Sequence, residues 1–345
     1  MKAAILHAPF DIRVAEVPDP QLSNTRDAVV RITRSSVCGS DLWNYRGIND
    51  VIRGSRIGHE SMGVVEAVGR DVRSVAVGDI VLLPFAASDG TCPECLAGFP
   101  VACRNAVAWG RGGYDGGQGE KIRVPFADVN CFAVPDDGLT DSMLTALLPL
   151  TDVLSTGHHA ALCARVEPGS TVVVVGDGAV GLCGVAASRR LGAGRIILVS
   201  TRADRAAVGR DFGATDVVAA RGGAAVARVR DLTGDLGADS VLECVGTDDA
   251  FGTALGAVRK GGDVGFVGVP HGVRDLGVSR LFRAGIGVKG SPAPVARYIR
   301  QLMPDVLAGS LDVSAIFDLT VSLDDIAAGY RAMDERTAVK ALVRT

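Results

Sequence analysis

Several groups of residues in this 345-residue chain have the types and spacing to do chemistry. The run Gly176-Asp177-Gly178-Ala179-Val180-Gly181 follows Thr171-Val172-Val173-Val174-Val175 and opens a helical stretch. GxGxxG alone is a weak signal, but between a buried strand and a helix it marks a dinucleotide turn. Gly176 makes the tight turn, Gly178 lets the backbone approach a pyrophosphate, and Gly181 permits close helix contact. Ala179 and Val180 begin the helix whose free N–H groups face the phosphates.

The end of the next strand selects the dinucleotide. An NAD site places Asp or Glu there to bond the ribose 2′-hydroxyl. This chain has Ser200-Thr201-Arg202 and then Arg205, with Asp204 only inside the helix start. Hydroxyls and guanidinium groups suit a 2′-phosphate that a carboxylate would repel. The expected coenzyme is therefore NADP(H). The alternative is that Arg202 and Arg205 are ordinary surface charges. Gly246, Val267 and Val269 stand at later strand ends, as backbone contacts for the nicotinamide.

Three separated motifs carry metal-ligand types: Cys38-Gly39-Ser40-Asp41, Gly58-His59-Glu60, and Pro149-Leu150-Thr151-Asp152. Cys, His and Asp all ligate zinc, and three protein ligands leave one position for water or substrate, as in a catalytic site. Spacing alone does not bring them together. Taken singly, Cys38 reads as a core thiol and His59 as a turn histidine. Cys92, Cys95 and Cys103 also have polar or turn-forming neighbours, whereas Cys131, Cys163, Cys183 and Cys244 read as buried reduced thiols.

The elements that must position these residues have two textures. Residues 1 to about 150 read as short strands and turns: 28–33, 63–69 and 78–83 alternate or leave turns, with no long helical period. From Thr171 onward, β-branched runs alternate with helical stretches. Strands at 171–175, 195–199, 216–218, 240–244 and 263–267 make a doubly wound parallel sheet. A tail follows, with helices over 292–307 and 323–334 and strands at 315–319 and 340–343. The expected organisation is an irregular β-barrel domain (1–150), a coenzyme domain (151–287) and a C-terminal segment (288–345) that returns to the first.

Composition agrees and excludes other classes. With 48% hydrophobic and 22% charged residues, the chain is neither disordered nor a charged coiled coil. Its 44 glycines have no period of three, which excludes collagen, and fit many strand-to-helix turns. A formal net charge of −3 draws neither nucleic acid nor an anionic membrane by bulk charge. The N-terminus lacks a signal-peptide core, apolar stretches are broken by Gly or charge, and cysteine density is below that of a disulfide scaffold. A reducing cytoplasm is the expected compartment.

The CGSD and GHE motifs, the glycine turn and the order of domains resemble the zinc-dependent medium-chain alcohol dehydrogenases over essentially the whole chain. The resemblance implies a GroES-like barrel, a Rossmann domain, and a homodimer or homotetramer. It implies Cys38, His59 and Asp152 as catalytic zinc ligands and Ser40 as the hydroxyl that takes the substrate proton. Asp41 would orient the histidine, and Glu60 would stand beside the metal. Some relatives continue the proton relay through a histidine where this chain has Trp43; here Trp43, with Trp109, is expected to shape the substrate pocket. The family's four-cysteine structural lobe is incomplete. Cys92, Cys95 and Cys103 remain, as though a stretch after Cys95 with one cysteine had been lost. Asp89 or Glu94 would have to complete it, or the loop is metal-free and held by hydrogen bonds or a disulfide. The expected reaction is reversible hydride transfer between an alcohol, secondary by preference, and NADP+. The rivals are a zinc-free quinone or enone reductase and a nucleotide-binding protein without turnover.

Overall fold

The computed structural model describes residues 1–49, 53–110, 114–135 and 138–345. It divides into two compact units, Met1–Asp152 with Pro294–Thr345, and Val153–Ala293.

The first unit is β-rich. Its largest sheet runs Phe132–Ala133, Ile80–Leu83, Glu60–Val68, Ala28–Ser36, Lys340–Arg344, Phe317–Ser322, with Lys121–Val124 also paired to Ala28–Ser36. Lys340–Arg344 lies antiparallel to Ala28–Ser36 and parallel to Phe317–Ser322, so the C-terminal segment is hydrogen-bonded into the barrel. Val30, Ile32, Val65, Leu83, Trp109 and Ile122 form one core. A second joins Leu6, Leu42 and Tyr45 to Ile326, Tyr330 and Met333 of the tail helix Ile326–Asp334.

The tail elements start later than their composition predicts. The helix expected from Pro292 begins at Val295, after Pro294, because a residue preceding proline avoids the α region. The strand expected at 315–319 is a 3₁₀ turn over Ser314–Ile316 followed by Phe317–Ser322. Two-residue alternation starts only at Phe317, and the Asp318 carboxylate fixes the register by accepting the Val339 and Lys340 N–H groups at 2.9 and 3.2 Å. The helix expected from Leu323 begins at Ile326, because Ser322 and Asp325 close a turn by hydrogen-bonding each other first.

The second unit holds a six-stranded, wholly parallel sheet. Its order is Asp216–Val218, Arg195–Val199, Thr171–Val175, Ala238–Glu243, Val258–Phe266, Gly287–Gly290. This order reverses beside Thr171–Val175, the point at which such sheets bind dinucleotides. The helix Val153–Cys163 carries no amphipathic stripe because ten of its eleven residues are buried. It crosses Ala179–Arg190 where a Cβ on Gly157 would stand 2.5 Å from the Gly184 nitrogen. No described helix is long and apolar enough to cross a membrane.

Candidate metal centre and coenzyme turn

The barrel's loops bring the three separated motifs together. Cys38 follows the strand Ala28–Ser36, and the Val37 N–H donates to Ala341 of the C-terminal strand. His59 precedes Glu60–Val68, and Asp152 ends the 3₁₀ turn Leu148–Thr151. The ligand atoms of Cys38, His59, Glu60 and Asp152 all lie within 4.8 Å of one another. Asp152 Oδ2 is 3.5 Å from Cys38 Sγ and 3.3 Å from His59 Nε2. Tetrahedral zinc, with bonds of about 2.0–2.3 Å, separates its N, O and S ligand atoms by about 3.3–3.6 Å. The site has the donor set and the spacing of a zinc centre.

Without a metal, the surroundings favour the protonated forms of Cys38 and His59. Burial first, then the Asp152 and Glu60 carboxylates, push the Cys38 thiol up to about 11. Burial pulls the His59 imidazole down, but Asp41, Cys38 and hydrogen bonds to Asp152 and Asp41 outweigh it and raise the group well above its usual range. Both residues must lose a proton to ligate, so zinc binding releases protons.

The surroundings are buried and polar. Asp41 Oδ1 lies 3.1 Å from His59 Nδ1, and its Oδ2 accepts the Cys38 N–H at 3.0 Å. Glu60 accepts from Ser36 Oγ and from Lys340 Nζ, each at 2.6 Å. Ser40 Oγ is 3.5 Å from His59 Nε2. Phe85 meets the His59 ring edge-on at 6.5 Å between centroids. Trp43, on the short helix Asp41–Tyr45, is half-buried. Trp109 belongs to the barrel core, where its indole N–H donates to the Pro84 carbonyl at 2.8 Å; burial and a satisfied donor account for it as a core residue. Phe85, Gln118, Tyr330 and Lys340 were not singled out in the sequence, because no local motif marks a residue contributed from a remote element.

A second cluster comprises Asp89, Cys92, Cys95 and Cys103, again with ligand atoms within 4.8 Å of one another. Despite the expected gap after Cys95, the cluster has four groups, because Asp89, three residues before Cys92, stands with the three thiols. Its carboxylate is held well below the usual range by the Cys92 and Thr91 N–H groups and by Asn105. Burial and the neighbouring Cys92 and Cys103 push the Cys95 thiol up to about 12. Glu94, the other candidate, pairs with Arg104 at 2.9 Å. All three cysteines are reduced.

In the second unit, Gly176 has φ of +117°, and a Cβ on Gly181 would stand 2.0 Å from the Gly176 oxygen. A Cβ on Gly178 would meet no protein atom within 4 Å, which is the open approach a pyrophosphate needs. Ala179 and Val180 begin the helix Ala179–Arg190. Ser200 Oγ donates to Asp177 Oδ2 at 2.8 Å, and the buried Arg205 lies 3.5 Å from Asp177 Oδ1. Arg202 sits half-exposed at the start of the next helix and pairs with Asp204 at 3.0 Å. The exposed Thr201 accepts from Arg221 at 3.2 Å. At the far strand ends, Val267 N–H donates to Glu243 O at 3.0 Å, Gly246 N–H donates to the Glu243 carboxylate at 2.7 Å, and Val269 is exposed.

Comparison with known proteins agrees with this architecture. The alcohol dehydrogenase GroES-like domain pattern matches residues 24–136, and the zinc-binding dehydrogenase pattern matches residues 179–308. The chain is 36% identical over 340 residues to the "Probable zinc-binding alcohol dehydrogenase" of Mycobacterium tuberculosis, covering 98% of this chain and 86% of that one. The alcohol dehydrogenase TADH from Thermus sp. ATN1 superposes with a TM-score of 0.93 at 32% identity, over 100% of this chain and 99% of that one. A Sinorhizobium meliloti protein of this class, solved with NADP bound, superposes with a TM-score of 0.84 at 27% identity, over 100% and 99% of the two chains. The chain belongs to the zinc-dependent medium-chain dehydrogenase/reductase family. It has the family's GroES-like and Rossmann domains and the site of a zinc-dependent alcohol dehydrogenase-type oxidoreductase.

Proposed function

We propose that this protein interconverts an alcohol, secondary by preference, and its carbonyl compound with NADP(H). The observation that carries the reading is the convergence of Cys38, His59 and Asp152 at zinc-ligand spacing in a chain that also has a dinucleotide turn. Zinc held by these residues supplies the Lewis acidity that makes an alcohol hydroxyl acidic near neutral pH, and NADP+ accepts the hydride. The protein's residues bind and orient. Cys38 as thiolate and Asp152 as carboxylate balance the dication, and Asp41 holds the His59 ring. The Ser40 hydroxyl would take the substrate proton and pass it toward water, because Trp43 stands where a relay histidine would. Glu60 stays beside the metal, paired with Lys340. Phe85, edge-on to the His59 ring, offers apolar surface beside the ligands, and with the half-buried Trp43 it would suit an alkyl-substituted alcohol better than a polyol.

Coenzyme choice rests on Ser200, Thr201 and Arg202. Ser200 replaces the acid an NAD site would carry. The Asp177 carboxylate is compensated by Ser200 and Arg205, so it opposes a 2′-phosphate less. The Arg202–Asp204 pair is half-exposed, and such pairs are worth at most about 1 kcal/mol, so a phosphate dianion can displace Asp204. Gly246, Val267 and Val269 offer backbone groups to the nicotinamide. Asp89, Cys92, Cys95 and Cys103 would hold a second, structural zinc, since three thiolates and a carboxylate form a closed four-ligand set. The working protein would be a homodimer or homotetramer, tested by light scattering.

The test is a panel of alcohols and carbonyl compounds assayed with each coenzyme, together with metal analysis. Zinc-dependent turnover with NADPH, abolished in Cys38→Ser and His59→Ala, is expected. Turnover unaffected by those substitutions would overturn the reading in favour of a zinc-free reductase.

A further inference from the structure

The metal-ligand cluster is tied to the C-terminal helix by a buried hydrogen-bond chain. Tyr330 Oη donates to Gln118 Oε1 at 2.8 Å. Gln118 Nε2 donates to Ser36 O at 3.1 Å and to Asp41 Oδ2 at 3.4 Å. Asp41 in turn receives the Cys38 N–H and faces His59 Nδ1. Tyr330, Gln118 and Asp41 are 1%, 0% and 7% exposed, so water does not compete for these bonds.

The chain has one workable polarity. A carboxylate only accepts, so Gln118 must present its NH2 to Asp41, and its carbonyl is then left for the tyrosine hydroxyl. Rotating the amide would set oxygen against oxygen at Asp41. With Asp41 oriented in this way, His59 carries its proton on Nδ1 and keeps the Nε2 lone pair for the metal. The backbone enforces the same placement. Gln118 N–H donates to Ile57 O at 3.0 Å, and a Cβ on Gly58 would stand 2.3 Å from Gln118 Cγ. Gln118 thus lies directly under the turn that carries His59.

We propose that Gln118, held by Tyr330, is a positioning residue of the metal centre that fixes the Asp41 carboxylate and through it the orientation and tautomer of His59. This rests on the zinc reading of Cys38, His59 and Asp152. Its consequence is that the C-terminal helix, more than two hundred residues away in sequence, sets metal affinity through one amide.

The test uses the full chain loaded with Co(II) or Zn(II) and follows the metal equivalent that His59→Ala removes. Affinity is read by competition with a chromogenic chelator and geometry by the Co(II) d–d spectrum. Folding of each metal-free variant is checked by circular dichroism and thermal unfolding. Gln118→Met keeps the side chain's length and removes its hydrogen bonds. It is expected to weaken that equivalent by about 10-fold or more and to alter the cobalt spectrum, the range seen when partners behind a metal ligand are lost. Tyr330→Phe is expected to weaken it by about threefold, and to have a smaller effect in the Gln118→Met background, because the tyrosine hydroxyl donates to the amide. A folded Gln118→Met protein with native affinity and native cobalt spectrum overturns the proposal. So does an undiminished Tyr330→Phe effect in the Gln118→Met background. If Gln118→Met does not fold, Tyr330→Phe alone decides, and native affinity there overturns it. A native protein with no His59-dependent equivalent overturns the zinc reading itself, a result visible before any Gln118 variant is made.

Discussion

Lys340 Nζ lies 2.6 Å from Glu60 Oε1 across 280 residues of sequence, with side chains 1% and 0% exposed. The C-terminal strand therefore places a buried ammonium beside the acid that follows His59. Removing one member of a buried pair leaves the other charge uncompensated, at a cost of about 3–5 kcal/mol. Lys340→Met is expected to lose that much stability in urea unfolding. Lys340→Met combined with Glu60→Gln should recover a large part of it. A double variant no more stable than Lys340→Met would show that the pair does not act as a unit.

Arg202 is the half-exposed cation at the end of the second coenzyme strand. Arg202→Ala should lower kcat/KM for NADPH by about 10-fold or more while leaving NADH little changed, because a charge-assisted bond to phosphate is worth about 1.5–3 kcal/mol. Ser200→Asp should move preference toward NADH. Steady-state kinetics with both coenzymes decide this, and a native preference for NADH would reverse the assignment.

Metal analysis is expected to find two zinc equivalents per chain. Asp89→Ala should retain the equivalent at Cys38 and lose the other, with a lower thermal midpoint because an ion bound only by the folded state stabilises it. A native protein with one equivalent, unchanged in Asp89→Ala, would leave the lobe metal-free.

His159 gives a pH dependence of known sign. Burial, aided by the Lys289 charge, lowers its imidazole from 6.5 to about 4. Between those values the unfolded chain binds a proton that the folded chain refuses. Stability is therefore expected to fall as pH drops from about 6.5 to about 4, by an amount on the order of 2 kcal/mol. His159→Gln, which can still meet Ser291, should show a shallower decline over the same window. Equal slopes for the two proteins would count against this origin.

Much of the architecture is legible in local pattern. The strand-glycine-helix signal at 171–181 works because turn chemistry, phosphate approach and helix start are all settled within eleven consecutive residues. The parallel sheet is legible for a related reason, since strands covered on both faces read as unbroken β-branched runs. The helix Val153–Cys163 is not, because burial on every side erases the amphipathic period. Likewise, sequence distinguishes Ser200 from the acid of an NAD site, but not that Arg205 turns inward onto Asp177.

The chemistry of the metal centre divides along the same line. Residue types alone mark Cys38, His59 and Asp152 as competent ligands. That they meet within bonding range of one ion, across 114 residues between Cys38 and Asp152, is decided by strand register and loop closure. The Tyr330–Gln118–Asp41 chain and the Lys340–Glu60 pair are tertiary in the same sense. Hydrogen bonds and ion pairs between distant elements leave no periodicity in a sequence. They exist because the C-terminal strand and helix, folded against the barrel, exclude the water that would otherwise satisfy each of those groups separately.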